Sequence, residues 1–183
     1  MPERLVASLE GPAGAPVLVL GNSLGTTREI WEPQVAVLGE RFRLLRYEHR
    51  GHGGSPAPSG PYTIAELAAD VLRLLDDFGV HTASYCGISL GGMIGMWLAA
   101  SAPERIDALG LCCTSACLPP AEAWLDRAAQ VRSAGLVSIS RQVVGRWFTR
   151  RREQLRVILG GAHLANVSHA AEVSAALMAH LTG

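Results

Sequence analysis

The stretch "ASYCGISLGGMIGMWLAA", residues 83–100, changes its structural pattern in the middle. "ASYCGIS" is a short, mostly apolar run and reads as a strand. "LGGMIGMWLAASAPERI" then reads as a helix, with almost no loop between them. Ser89 stands at the junction, inside Gly87-Ile88-Ser89-Leu90-Gly91, a G-x-S-x-G pattern. A strand that turns sharply into a helix holds such a serine in a strained backbone conformation. Glycines on either side remove side chains that would clash in so tight a bend. The hydroxyl then projects above the sheet, beside the positive end of the helix dipole. The N–H of Leu90 points where an oxyanion would form. The plainer alternative is a helix N-cap serine beside packing glycines.

Working outward, strands and helices alternate. Val17–Leu20 is a buried strand that ends in the turn "GNSLGTT". Trp31, Val35 and Leu38 recur at i, i+4, i+7, as on a short amphipathic helix. "FRLLRY" is a second strand that runs into the glycine-rich loop "EHRGHGGSP". "YTIAELAADVLRLLDDFGV" is the clearest helix, with a capping box at Thr63 and Glu66 and a stop at Gly79. After the serine, "ALGLCCTSA" is a strand and residues 119–149 are helical, with Trp124, Ala128 and Val131 on one face. "LRVILGG" is a last strand, and "AAEVSAALMAHL" a last helix with Val173, Leu177 and Leu181 on one side. Strands apolar on both faces, alternating with helices, predict a mostly parallel sheet covered on both sides. No linker or repeat divides residues 1–183, so one domain is expected.

Composition narrows the function. Sixteen basic and sixteen acidic residues cancel, so no basic field is available for nucleic acid or anionic lipid. A small anionic substrate needs only one or two placed arginines, and Arg127, Arg132 and Arg146 are candidates. The four cysteines, Cys86, Cys112, Cys113 and Cys117, form no CxxC pair, and buried thiols on strands are expected rather than a metal site or disulfides. Reduced thiols suit the cytoplasm. The first residues do not read as a signal peptide, and no apolar run reaches the ~18 residues of a membrane span.

A serine hydroxyl needs a base. Of six histidines, His49 and His52 lie in "EHRGHGG", His81 precedes a strand, and His169 and His180 lie near the last helix. His163 follows a late strand through "GGAH", at the sheet end where open α/β sheets place their sites. It is the expected general base. The N–H of Ser23, in the loop after the first strand, is the candidate second oxyanion donor.

The blocks "LGNSLGTTREIWEPQ", "FRLLRYEHRGHGGSPAPSGPYTIAELAADVLRLLD", "YCGISLGGMIGMWLAASAPERIDALGLCCTSA", "GRWFT" and "GAHLANV" resemble the α/β-hydrolases. The "NSLGT" loop combined with "GMWLAA…PER…LCCTSA" is similar to the 3-oxoadipate enol-lactonase branch. The resemblance implies an α/β-hydrolase sheet with helices on both faces. It implies a carboxylic-ester hydrolase of aromatic-compound catabolism, without metal or organic cofactor. Ser89 would be the nucleophile, His163 the base, and the N–H groups of Ser23 and Leu90 the oxyanion hole.

The chain also departs from the family pattern. No "GxxD"-like strand supplies the acid that would orient His163. Between Asp107 and His163 the acids are Glu122, Asp126 and Glu153, none well placed, so the catalytic acid is unassigned. Thr114 or Ser115 could orient the imidazole or merely cap a loop. The sheet is expected to be shortened by about one strand–helix unit, with residues 119–149 as the remnant of a helical cap. A second copy of the chain in a homodimer could fill the gap. A small-molecule lactone or ester is the expected substrate. A general small-ester hydrolase and a non-catalytic binding or scaffold protein are the alternatives.

Overall fold

The computed structural model describes residues 4–118, 120–147 and 165–182. Five strands form one sheet: β1 (Ala7–Glu10), β2 (Val17–Gly21), β3 (Arg43–Tyr47), β4 (Ala83–Ile88) and β5 (Ile106–Cys112). Their spatial order is β1-β3-β2-β4-β5. The four strands β3, β2, β4 and β5 run parallel, and β1 adds antiparallel to β3 with Ala7 opposite Tyr47. The helices are α1 (Glu32–Leu38), α2 (Ile64–Asp77), α3 (Leu90–Ser101), α4 (Ala121–Ala134), α5 (Val137–Trp147), α6 (Ala165–Ser168) and α7 (Ala170–Leu181). The mostly parallel sheet with helices on both faces therefore stands as expected. β1 is an addition. The expected "LRVILGG" strand lies outside the described residues.

Side chains of a strand alternate between faces, and here each face has its own core. Leu18 and Leu20 of β2, Leu44 of β3, and Cys86 and Ile88 of β4 face one side. They pack there with Trp31, Leu38, Val173 and Leu177. Val19, Leu45, Tyr47 and Tyr85 face the other, against Leu67, Val71, Leu75, Ile94 and Leu98. This double burial explains why the central strands read as continuous apolar runs.

The helix starts follow local chemistry. Thr63 accepts from the Glu66 N–H at 3.2 Å, and the Glu66 carboxylate accepts from the Thr63 N–H at 2.7 Å, closing the capping box before α2. Gly79, at φ 66°, follows the last turn, as its position predicted. The helical pattern of residues 119–149 is broken by Gly135, at φ 75°, which separates α4 from α5. No residue of α4 is buried, and Trp124 is 39% exposed. The apolar stripe on this helix thus faces little of the core.

The cysteines correct one expectation. Cys86 is buried on β4 and Cys112 is half-buried on β5, but Cys113 and Cys117 are exposed. Both lie beyond the end of β5, where the chain leaves the sheet. Among the described residues, no helix is long and apolar enough to cross a membrane.

Candidate functional site

Ser89 occupies the turn between β4 and α3 at φ 55°, ψ −113°. This backbone region is unfavourable for any residue with a side chain and costs on the order of 1–3 kcal/mol. The surrounding structure holds it there. The Ser89 N–H donates to the Cys112 carbonyl at 3.0 Å. The Ser89 carbonyl accepts from the Met93 N–H at 3.1 Å and from the Thr114 hydroxyl at 2.7 Å. The Ser89 side chain makes no capping hydrogen bond to α3. A serine kept only as an N-cap would make that bond, so the capping alternative is not met here.

The glycines around it are close-approach glycines. A Cβ on Gly87 would fall within 3.0 Å of the Gly91 and Gly92 backbone, and one on Gly91 within 3.0 Å of the Gly21 carbonyl. Helix α3 therefore sits directly against the ends of β4 and β2. The Gly91 N–H donates to the Asn22 carbonyl at 2.9 Å, which ties the start of α3 to the loop after β2.

That loop carries Ser23, which is 1% exposed. Among the described residues no acceptor engages the Ser23 N–H, whereas its carbonyl caps a turn by accepting from the N–H and hydroxyl of Thr26. Leu90 is the first residue of α3, and first-turn N–H groups have no partner within their helix. The two candidate oxyanion donors thus stand on the loop after β2 and the first turn of α3, which Asn22 and Gly91 join.

Four of the five described histidines hydrogen-bond through their rings to groups other than Ser89. The His49 ring is buried against the Asn22 carbonyl, with Nε2 at 3.0 Å. His52 Nε2 accepts from the Gly25 N–H at 2.9 Å. His169 meets the Ser168 hydroxyl, His180 meets the Leu109 carbonyl, and His81 is exposed ahead of β4. His163 lies outside the described residues, as does Glu153. Glu122 and Asp126 are exposed on α4. Thr114 binds the Ser89 carbonyl and the Ser115 hydroxyl donates to the Cys117 carbonyl, so both serve the backbone.

Burial pushes the His49 imidazole down to about 4, reinforced by nearby His52 and partly offset by the Asn22 carbonyl. The neutral ring is the folded form. An unfolded histidine binds a proton near 6.5, so the unfolded chain takes up more protons between about 6.5 and 4. Stability contributed by this group is complete above that window and is lost as pH falls through it. The loss is about 3 kcal/mol over the whole window. Urea midpoints measured from pH 7.5 to 4 should show His49→Gln losing clearly less stability than the unaltered protein. Equal slopes would disprove the buried neutral ring.

A cleft of about 160 Å³ lies between the loop after β2 and the helices that follow β5. Leu24 and Gly25 form one wall, and Arg127, Leu136, Ile139 and Val143 the other. Arg127 also lies over the Trp124 ring, 5.3 Å from its centroid and within the ~6 Å reach of a cation–π contact. Of the three arginines read as candidate carboxylate partners, Arg127 lines this cleft. Arg132 is exposed on α4.

A family model for the alpha/beta hydrolase fold matches residues 16–135. The chain belongs to the α/β-hydrolase family. The match spans the loop of Ser23, the turn of Ser89 and the first helix after β5. A 3-oxoadipate enol-lactonase of Acinetobacter baylyi is 42% identical over 139 residues, which are 76% of this chain and 52% of that protein. The crystal structure of the enol-lactonase from Burkholderia xenovorans LB400 superposes with a TM-score of 0.78 at 39% identity, covering 96% of this chain and 63% of that one. A thermophilic esterase from Thermogutta terrifontis is 28% identical with a TM-score of 0.71, over 78% of this chain and 53% of its own. The chain spans about half the length of the curated relatives it matches.

Proposed function

We propose that this protein is a serine hydrolase that opens a lactone or ester, with 3-oxoadipate enol-lactone as the substrate. The observation that carries this reading is Ser89, held at φ 55° on a strand-to-helix turn with its hydroxyl uncommitted to the helix. The similarity to enol-lactonases supports the choice of substrate.

In this reading Ser89 Oγ attacks the lactone carbonyl and His163 takes its proton. The carbonyl oxygen becomes an oxyanion held by the N–H groups of Ser23 and Leu90. Collapse of the tetrahedral intermediate breaks the ring C–O bond and leaves an acyl-enzyme. His163 then activates a water that releases the acid. Four of the five described histidine rings have hydrogen-bond partners other than Ser89, and His81 is exposed ahead of β4, which leaves His163 as the reading of the base. The carboxylate that would orient it has no assignment.

Steady-state turnover of 3-oxoadipate enol-lactone against short p-nitrophenyl esters tests the substrate. The expected result is a kcat/KM at least about 10²-fold higher for the lactone, the discrimination a site gains from binding one substrate's polar groups. A strong preference for simple esters would sink the lactonase reading and favour a general small-ester hydrolase, consistent with the similarity to an esterase. No turnover and no labelling of Ser89 by a fluorophosphonate would leave a binding module.

A further inference from the structure

The loop "EHRGHGG" contributes two histidines, and both rings point at one short segment, Asn22–Gly25. His49 Nε2 lies 3.0 Å from the Asn22 carbonyl. His52 Nε2 accepts the Gly25 N–H at 2.9 Å. Ser23, with its uncommitted N–H, stands between these two anchor points. We propose that His49 and His52 are positioning residues that clamp the Asn22–Gly25 loop at both ends, so that the Ser23 N–H keeps its aim as an oxyanion donor. This inference rests on the reading of Ser89 as nucleophile for its catalytic consequence, but not for the clamp itself.

Hydrogen-bond chemistry assigns each ring its tautomer. A ring nitrogen that faces a carbonyl must donate, so His49 carries its proton on Nε2. His52 shows the reverse arrangement. Its Nδ1 lies 3.1 Å from the Arg50 carbonyl and donates there, which leaves Nε2 as the acceptor that Gly25 requires. The two rings meet edge to face with centroids 5.7 Å apart, and His49 meets Tyr47 in the same way at 5.0 Å.

The platform beneath the rings is also fixed. The Glu48 carboxylate accepts the Gly54 N–H at 2.6 Å, and the Ser55 hydroxyl donates to the Glu48 carbonyl at 2.8 Å. Arg50 donates twice to Asp70 on α2, at 2.6 Å each. On the other side, Asn22 donates to the Tyr47 carbonyl at 2.6 Å and receives the Gly91 N–H. The loop after β3 therefore braces the loop after β2, which in turn meets the turn of Ser89. Gly25, at φ 80°, has no side chain to pack, so its N–H bond to His52 joins the Thr26 bonds to the Ser23 carbonyl in holding its end of the segment.

Half-buried His52 can be altered without opening the core. His52→Leu removes the acceptor, whereas His52→Gln can offer a side-chain oxygen near the Nε2 position. With p-nitrophenyl acetate, His52→Leu should lower kcat about 10-fold with KM within about twofold, the mark of a contact used in the transition state. His52→Gln should recover kcat to within about threefold of the unaltered protein. Amide hydrogen exchange gives a readout without activity: Gly25 should be protected in the unaltered protein and His52→Gln, and unprotected in His52→Leu. A kcat unchanged in His52→Leu, a Gln variant as impaired as the Leu variant, or Gly25 protection equal in all three would overturn the proposal. If the unaltered protein neither turns over esters nor labels at Ser89, the hydrolase reading fails, and Gly25 exchange still decides the clamp.

Discussion

Ser89→Ala is expected to lower ester turnover by at least about 10³-fold and to abolish fluorophosphonate labelling, with no loss of thermal stability. The two halves of this result test different things. Loss of turnover follows if the hydroxyl is the attacking group, because alanine carries no nucleophile. Unchanged stability follows from the backbone. An N-cap serine that bonds to its helix contributes about 1 kcal/mol, but the Ser89 side chain makes no such bond. Ser89→Gly extends the argument. Glycine adopts φ 55° without penalty, so this variant should be more stable by about 1 kcal/mol and equally inactive. Calorimetry beside a labelling assay measures both. Full turnover in Ser89→Ala would remove the catalytic assignment. A lower melting temperature in both variants would restore the capping role.

Asp70→Ala is expected to destabilise the fold by about 2–3 kcal/mol, between the loss of an exposed pair and that of a fully buried one. That corresponds to a melting temperature lower by roughly 4–12 °C for a chain of this size. Asp70 is 6% exposed on α2, and both its oxygens accept from Arg50, with Arg73 of the same helix as a further partner. Without the carboxylate, the Arg50 guanidinium is left half-buried over the Tyr62 ring with its strongest partner gone. Asp70 keeps α2 joined to the "EHRGHGG" loop, so its loss should also loosen Gly25 in amide exchange. An exposed pair would be worth about 1 kcal/mol or less. A change that small in Asp70→Ala, measured by urea denaturation, would show that the pair only decorates the surface. The unaltered Arg73 does not rescue it, because Arg73 is itself a cation and a donor to Asp70 and cannot replace the lost carboxylate.

What the sequence made legible was local. The turn of Ser89 is encoded by residues within two positions of it, because steric demands at a tight bend are met by chain neighbours. The Thr63–Glu66 capping box and the stop at Gly79 are local for the same reason. β2, β3 and β4 were legible because burial on both faces makes a strand apolar along its whole length. β1 was not legible. Its residues are half-buried with an exposed end, and its place depends on pairing with β3 across a long stretch of chain. The apolar stripe of α4 misled in the opposite direction, since α4 packs chiefly on α5 and buries none of its residues.

The histidines show most clearly where sequence reasoning stops. Six imidazoles are chemically alike, and position along the chain singled out His163 as the base without saying what the others do. That His49 and His52 both serve the Asn22–Gly25 loop depends on contacts between segments about 27 residues apart. The sequence by itself determined the alternating parallel sheet and the strained serine turn, because periodicity and glycine placement are written in neighbouring residues, while its resemblance to known hydrolases pointed to the family. Only the tertiary structure decided which histidines contact the Asn22–Gly25 loop, which cysteines are exposed and how that loop meets the start of α3 at Gly91, because those outcomes depend on which distant strand ends the fold brings side by side.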